Sequence, residues 1–166
     1  MSKTIAQDDL QSRLPEYQGF ADEMMAIAGS MTKIVYGGSI ARTTVHLVQL
    51  RAAQIAGSTY HTIRQTDLLR KAGESEERVT AVASWRDAPY FTDAELVALE
   101  LVEAVLTHNA HGERVSDELF ARASEHYDLD AMWRLIVVIG QISFFIPVAA
   151  IAKPIPGKAP GKNYSK

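Results

Sequence analysis

His46, Gln49, Ser58, His61 and Gln65 are the residues of this 166-residue chain whose types and spacing could do chemistry. His46, Gln49 and Ala53 recur at i, i+3 and i+7, as do Ser58, His61 and Gln65, so each set shares one face of a helix. Only Gly57 stands between the two helices, which must therefore fold back on each other. At 1.5 Å per residue, Gln49 and Gln65 lie about 12 Å from that glycine along their helices, and His46 about 16 Å. The result is a polar strip in an otherwise apolar hairpin, a candidate pocket for a small ligand. A neutral imidazole there suits a general base, a hydrogen-bond donor or a metal ligand.

Each member also has a purely structural use. Ser58 stands where an N-cap belongs. His61, one turn on, meets the positive end of the helix dipole, so its pKa should fall below the usual value of about 6.5. His61 and His46 could be hydrogen-bonded core histidines, and Gln49 and Gln65 could pair across the hairpin. Trp85 and Phe91 fit the core or a pocket rim, and Trp85 joins Gln49 as a candidate pocket residue. Glu74, Glu76, Glu77 and Arg78 read as a solvated helix start with favourable acidic charge. His108 and His111 lie beside Asn109 and Gly112 at a helix end with no further ligands in view, so no metal site is expected.

Composition removes several chemistries. There is no cysteine, which excludes disulfides, thiolate nucleophiles and iron–sulfur clusters. Seventeen Lys and Arg against 20 Asp and Glu leave a net charge of −3, without the basic excess of a nucleic-acid binder. A hydrophobic content of 47% is too high for a disordered acidic regulator and supports one well-filled domain. The N-terminus has no apolar h-region, so a soluble cytoplasmic protein is expected. The run from Leu135 to Ala152 approaches the length of a membrane span, but Gly140 and Pro147 interrupt it. Burial in the core and against a second subunit is the expected use.

Stepping outward, the elements that must hold the strip all read as helix. The expectation is an all-α bundle of about seven helices in one domain over 1–166, with 153–166 a flexible tail. Thr92 to Glu95 is a capping box, Ser116 and Asp128 or Asp130 open two later helices, and Gly57 and Gly73 end two earlier ones. The first helix is expected from Glu16 to Val35, the second from Ile40 to Ala56, and a short one from Ser75 to Ser84.

The stretch from Leu50 to Gly57, reading Leu-Arg-Ala-Ala-Gln-Ile-Ala-Gly, is followed by Arg70-Lys71-Ala72-Gly73-Glu74 and Glu76-Glu77-Arg78. Then comes Trp85-Arg86-Asp87-Ala88-Pro89, before Phe91-Thr92. This pattern resembles the alkylhydroperoxidase AhpD-like branch of the carboxymuconolactone decarboxylase family, over roughly Leu14 to Pro156. The resemblance implies a redox site of Glu, eleven residues, Cys-x-x-Cys, three residues and His, which falls on His46, Ser58, His61 and Gln65. All four residue types differ. Ser58 cannot attack a peroxide as a thiolate and His61 cannot resolve it as a disulfide, so thiol peroxidase chemistry is excluded. The family's Asn-x-Trp-Asn-Arg-like run in the last helix corresponds here to Ser143-Phe144-Phe145-Ile146-Pro147.

A ligand-binding protein without thiol peroxidase activity, needing no cofactor, is the first expectation. A non-redox enzyme on a small organic acid or lactone, with His46 and His61 as acid and base, is the alternative. A histidine-based metal site is the third. A Ser58 nucleophile lacks the orienting carboxylate of a triad. The apolar last helix, together with the family resemblance, implies a homo-oligomer from dimer to hexamer that hides Phe144, Phe145 and Ile146. No nucleic-acid or membrane partner is expected.

Overall fold

The computed structural model describes residues 10–15, 17–107, 112–158 and 162. His108, Asn109 and His111 lie outside the described residues. The described residues fold into seven α-helices: α1 (Ala21–Tyr36), α2 (Arg42–Ile55), α3 (Thr59–Lys71), α4 (Glu76–Ala81), α5 (Asp93–Leu106), α6 (Asp117–His126) and α7 (Leu129–Ala152). A 3-10 segment, Val82–Asp87, follows α4, so the single short helix expected from Ser75 to Ser84 is two pieces with a kink at Ser84. The first helix starts at Ala21 rather than near Glu16, which is outside the described residues, and the second at Arg42 rather than Ile40.

The expected boundary signals act as their chemistry requires. Thr92 accepts from the Glu95 amide while Glu95 accepts from the Thr92 amide, closing the capping box. Ser116 and Asp128 accept from the Leu119 and Ala131 amides. Gly57 (φ +63°) and Gly73 (φ +89°) end α2 and α3 in the left-handed conformation. In both turns the glycine amide and the next amide reach back to carbonyls of the last helical turn: Gly57 to Gln54 with Ser58 to Ala53, and Gly73 to Arg70 with Glu74 to Leu69.

α2 is the axis of the molecule. It packs on α3, α5 and α7, and every residue from Thr44 to Leu50 is buried. Val45, Val48 and Ala52 face a core shared with Val97 and Val102 of α5 and with Leu135, Val138 and Ile142 of α7. Leu47 and Leu50 face a second core with Leu69, Val79, Val82, Trp85 and Leu99. A helix covered on every side must satisfy its polar side chains internally, because an unpaired buried polar group costs about 1–3 kcal/mol. This dictates what His46 and Gln49 do.

Charge is placed differently from the sequence expectation in one respect. Arg78 is not on a solvated helix start. Its guanidinium meets Glu74, the buried Glu95 at 2.6 Å and the Tyr90 carbonyl, and lies over the Phe91 ring. Glu95 is 17 residues away in sequence, so nothing local signals the pairing. Glu103 of α5 likewise gathers Arg51 of α2, Arg86 and the Trp85 indole. The arginines of the scaffold motif are thus clamps between elements.

The segment after α7 also differs from the loose tail expected of it. Lys153 takes a left-handed cap, Pro154 and Ile155 are buried, and the Tyr60 hydroxyl donates to the Lys158 carbonyl at 3.0 Å. As far as Lys158, the segment packs on its own subunit beside α3. α7 is the reverse case. It is long and apolar enough to cross a membrane by composition, yet only 33% of its most apolar window is buried in the subunit.

Candidate functional site

The α2–α3 hairpin brings four of the five strip residues to burial: His46, Gln49, His61 and Gln65 are each 7% exposed or less. Gln65 is the hub. Its Oε1 lies 2.9 Å from His46 Nδ1, and its Nε2 donates to Gln49 Oε1 at 2.9 Å. Gln49 Nε2 donates to Gln141 Oε1 of α7, and Gln141 Nε2 to Thr32 Oγ1 of α1 at 3.3 Å. The Thr32 hydroxyl proton is committed to the Ala28 carbonyl at 2.7 Å. That last bond sets the direction of the whole chain. Reversing every amide would require Thr32 to donate to Gln141, and its proton is already spent. Gln65 therefore offers His46 an acceptor, which makes His46 the Nδ1–H tautomer and leaves Nε2 as the basic nitrogen.

Ser58 corrects a second expectation. It occupies the N-cap position of α3, but its side chain caps nothing. Its Oγ instead lies 2.9 Å from His61 Nδ1. The His61 ring packs edge-on against Tyr60, with centroids 5.2 Å apart. No sealed side-chain nitrogen or oxygen among the described residues lacks a partner. Among the described residues Nε2 of His46 and of His61 has no hydrogen-bond partner, and neither atom is sealed from solvent.

Both imidazoles are neutral at pH 7. Burial, reinforced by the Arg64 charge, pushes His61 down to about 4. Burial also lowers His46; the Gln65 hydrogen bond opposes this, and the Arg42 and Arg64 charges reinforce it. Tyr36 stands over His46 with ring centroids 5.9 Å apart, and burial raises its phenol so that it stays a donor.

Trp85 is not brought to this strip. It is 5% exposed in the second core, and its indole is spent on Glu103. Two clefts lie elsewhere. One of about 690 Å³ is lined by Ser39, Thr44, Thr92, Tyr127 and Asp128 among others; one of about 260 Å³ is lined by Arg86, Glu103 and Arg122 among others. Neither includes a strip residue. Among the described residues no three His, Asp or Glu side chains converge, so a histidine-based metal centre lacks its third ligand there.

Sequence reasoning missed Tyr36, Arg42, Thr32 and Gln141. Two carried a signal: Arg42 is one helical turn before His46, and Gln141 is one of two polar residues in the apolar run from Leu135 to Ala152.

The chain and its fold have relatives. The profile described as the carboxymuconolactone decarboxylase family matches residues 20–104, just over half of the chain. The chain belongs to that family. It is 34% identical over 132 residues to the uncharacterized protein YdfG of Bacillus subtilis, covering 80% of this chain and 88% of that one. It is 38% identical over 66 residues to the uncharacterized protein YnjA of Escherichia coli, covering 40% and 35%. In three dimensions it is similar to ATU0492 of Agrobacterium tumefaciens, a protein of unknown function assigned a suspected antioxidant-defence role as AhpD. The TM-score is 0.75 at 22% identity, covering 92% of this chain and all of that one. It is also similar to the debrominase Bmp8 in complex with 2,3,4-tribromopyrrole, with TM-score 0.72 at 18% identity, covering 86% and 75%. These two likenesses establish the AhpD-like fold.

Proposed function

We propose that this chain is a thiol-free member of its family that binds a small organic ligand at His46, Ser58, His61 and Gln65. One observation carries the reading: the four motif positions, stripped of sulfur, still form two hydrogen-bonded pairs, His46–Gln65 and Ser58–His61. A discarded site in a core would be expected to fill with apolar side chains, since a polar network confers little net stability. The tribromopyrrole held by Bmp8 supports the idea that this fold takes small aromatic guests. The test is imidazole NMR of His46 and His61 against pools of small organic acids, amides, alcohols and pyrroles. Saturable shifts at either ring are expected. Silence at both rings across all pools would overturn the reading.

The Ser58–His61 hydrogen bond favours one second reading, a non-redox enzyme on an organic acid or lactone with the imidazoles as acid and base. Because the hydroxyl does not cap α3, it is available to a reaction. No carboxylate orients His61, which argues for acid–base work over a serine nucleophile. Turnover of a model lactone, lost in His61→Gln and kept in Ser58→Ala, is the expected pattern for this reading.

We read the molecule as a soluble cytoplasmic homo-oligomer, a dimer or larger, with a trimer-of-dimers hexamer as the expected closed form. Support comes from α7, where Trp133, Ile136, Phe144 and Ile151 are 62%, 52%, 40% and 61% exposed within one subunit. Apolar surface of this extent on a soluble chain marks an interface.

A further inference from the structure

We propose that the cleft of about 690 Å³ binds a phosphate group at the N-terminus of α2, through the Thr44 hydroxyl and the free amides beside it. The cleft stands where three helix starts meet. Ala41, Thr92 and Asp128, the N-cap residues of α2, α5 and α7, all line it. Arg51 meets Glu103 and Gln49 meets Gln141 further along the same helices, so the three run side by side in one direction. Their positive dipole ends therefore converge on one space. Two of the ends carry their own carboxylate: Glu95 closes the capping box of α5, and Asp128 accepts from the Ala131 amide of α7. α2 has neither a side-chain cap nor an acid in its first turn. Its first amide to reach back along the helix is that of Val45, to the Ala41 carbonyl. The Arg42, Thr43 and Thr44 amides are left without an acceptor among the described residues.

Thr44 marks the spot independently. It is 6% exposed and lines the cleft, yet its hydroxyl makes no hydrogen bond among the described residues. No sealed side-chain oxygen there lacks a partner, so Thr44 Oγ1 is reached from the open space that the residue borders, which is the cleft. The other buried polar groups of the wall are engaged: Glu95 by Arg78 and Thr92, and the Tyr127 hydroxyl by the Ala94 carbonyl. Three amides at a positive helix end, with a hydroxyl beside them, match the several acceptor oxygens of a phosphate. Ser39, exposed after the Gly37-Gly38 turn, brings a second hydroxyl to the same end. Glu125 and Asp128 are exposed on the α6–α7 side, where water screens their charge and their oxygens can accept from hydroxyl groups. A cleft of this size holds a whole small molecule, so a phosphate ester fits as well as the free ion.

The test uses the full-length protein at pH 7 in phosphate-free buffer, with inorganic phosphate, ribose 5-phosphate and ribose as probes. Binding is read from the Arg42, Thr43 and Thr44 backbone amide resonances. At least one phosphate should shift them saturably, and ribose should bind about tenfold or more weakly than that phosphate. Whichever phosphate binds tighter tells an ester from the free ion. The His46 and His61 rings should stay still, which keeps this cleft separate from the hairpin site. Thr44→Val removes the hydroxyl and should weaken the phosphate about fivefold or more, with the thermal midpoint of the free protein unchanged or raised. Ala41→Asp, at a position already in a non-helical N-cap conformation (φ −58°, ψ 137°), gives α2 the carboxylate that α7 has. It should raise the midpoint of the free protein and abolish phosphate binding. Unmoved amides with both phosphates, ribose binding as tightly as ribose 5-phosphate, or phosphate affinity unchanged in either variant overturns the proposal.

Discussion

His46 and Gln65 hold each other at 2.9 Å across the α2–α3 hairpin, at the two positions where the resemblance implies a carboxylate and an imidazole. An imidazole now stands on α2 and an amide on α3. An amide neither takes nor gives a proton at neutral pH, so the pair orients groups and moves no proton between its members.

Replacing Gln65 by Leu tests that role. It removes the acceptor for His46 Nδ1–H and the donor for Gln49, both buried. Stability should fall by about 2–4 kcal/mol, as expected when two buried groups lose their partners. The readout that separates orientation from packing is the His46 ring ¹⁵N pattern. It should report protonated Nδ1 in the parent and a mixture of tautomers in the variant.

The depressed histidines make stability depend on acid. Their folded pKa values lie below the unfolded value of about 6.5, so the unfolded state binds more protons as pH drops. Stability is therefore full at pH 7 and is lost as pH falls from about 6.5 towards about 4, the folded value of His61. Each tenfold difference in proton affinity is worth about 1.4 kcal/mol, so His61 alone contributes a loss of order 3 kcal/mol. Urea unfolding at a series of pH values should show this slope, and His61→Gln should flatten it.

Sulfur can be put back. Ser58→Cys with His61→Cys places two thiols one helical turn apart, and oxidant should close them into a disulfide detectable by thiol titration. Dithiol-coupled peroxide consumption should be absent in the parent and slow in the double variant, because His46 and Gln65 supply no proton relay. Rapid turnover in the double variant would show that the hairpin needs only its sulfurs.

Glu103→Gln should destabilise the fold by about 1–2 kcal/mol, less than the loss of a buried ion pair because Glu103 and Arg51 are part-buried and Arg86 is exposed. Glu103 joins α5 to Arg51 of α2 and to the Trp85–Arg86 segment. The denaturation midpoint should fall while ligand binding at the histidines is unchanged.

Light scattering on the purified chain should give a mass of at least two subunits, and Phe144→Glu should lower it. A single 18.3 kDa species at micromolar concentration would count against assembly through α7.

The helical plan was legible because caps act locally. Thr92 with Glu95, Ser116, Asp128, Gly57 and Gly73 each fix a boundary within a few residues of themselves. The site was half legible: spacing placed His46, Gln49, His61 and Gln65 on facing sides of one hairpin, and the pairing of Gln49 with Gln65 followed. What the spacing could not contain was anything decided by a third element. Gln141 and Thr32 complete the amide chain from α7 and α1, and Glu95 buries Arg78 from α5. The choice of Ser58 between backbone and imidazole was local but balanced, since both partners lie within one turn. The least legible feature was which helix is central: α7 has the more apolar composition, yet α2, with three polar side chains inward, is the enclosed one.

That enclosure has a kinetic consequence. Backbone amides exchange with solvent only when their segment opens, and segments packed on all sides open with the whole molecule. The α2 amides should be among the slowest to take up deuterium, while α3, bounded on its outer side by solvent and by the segment ending at Lys158, should exchange through smaller openings.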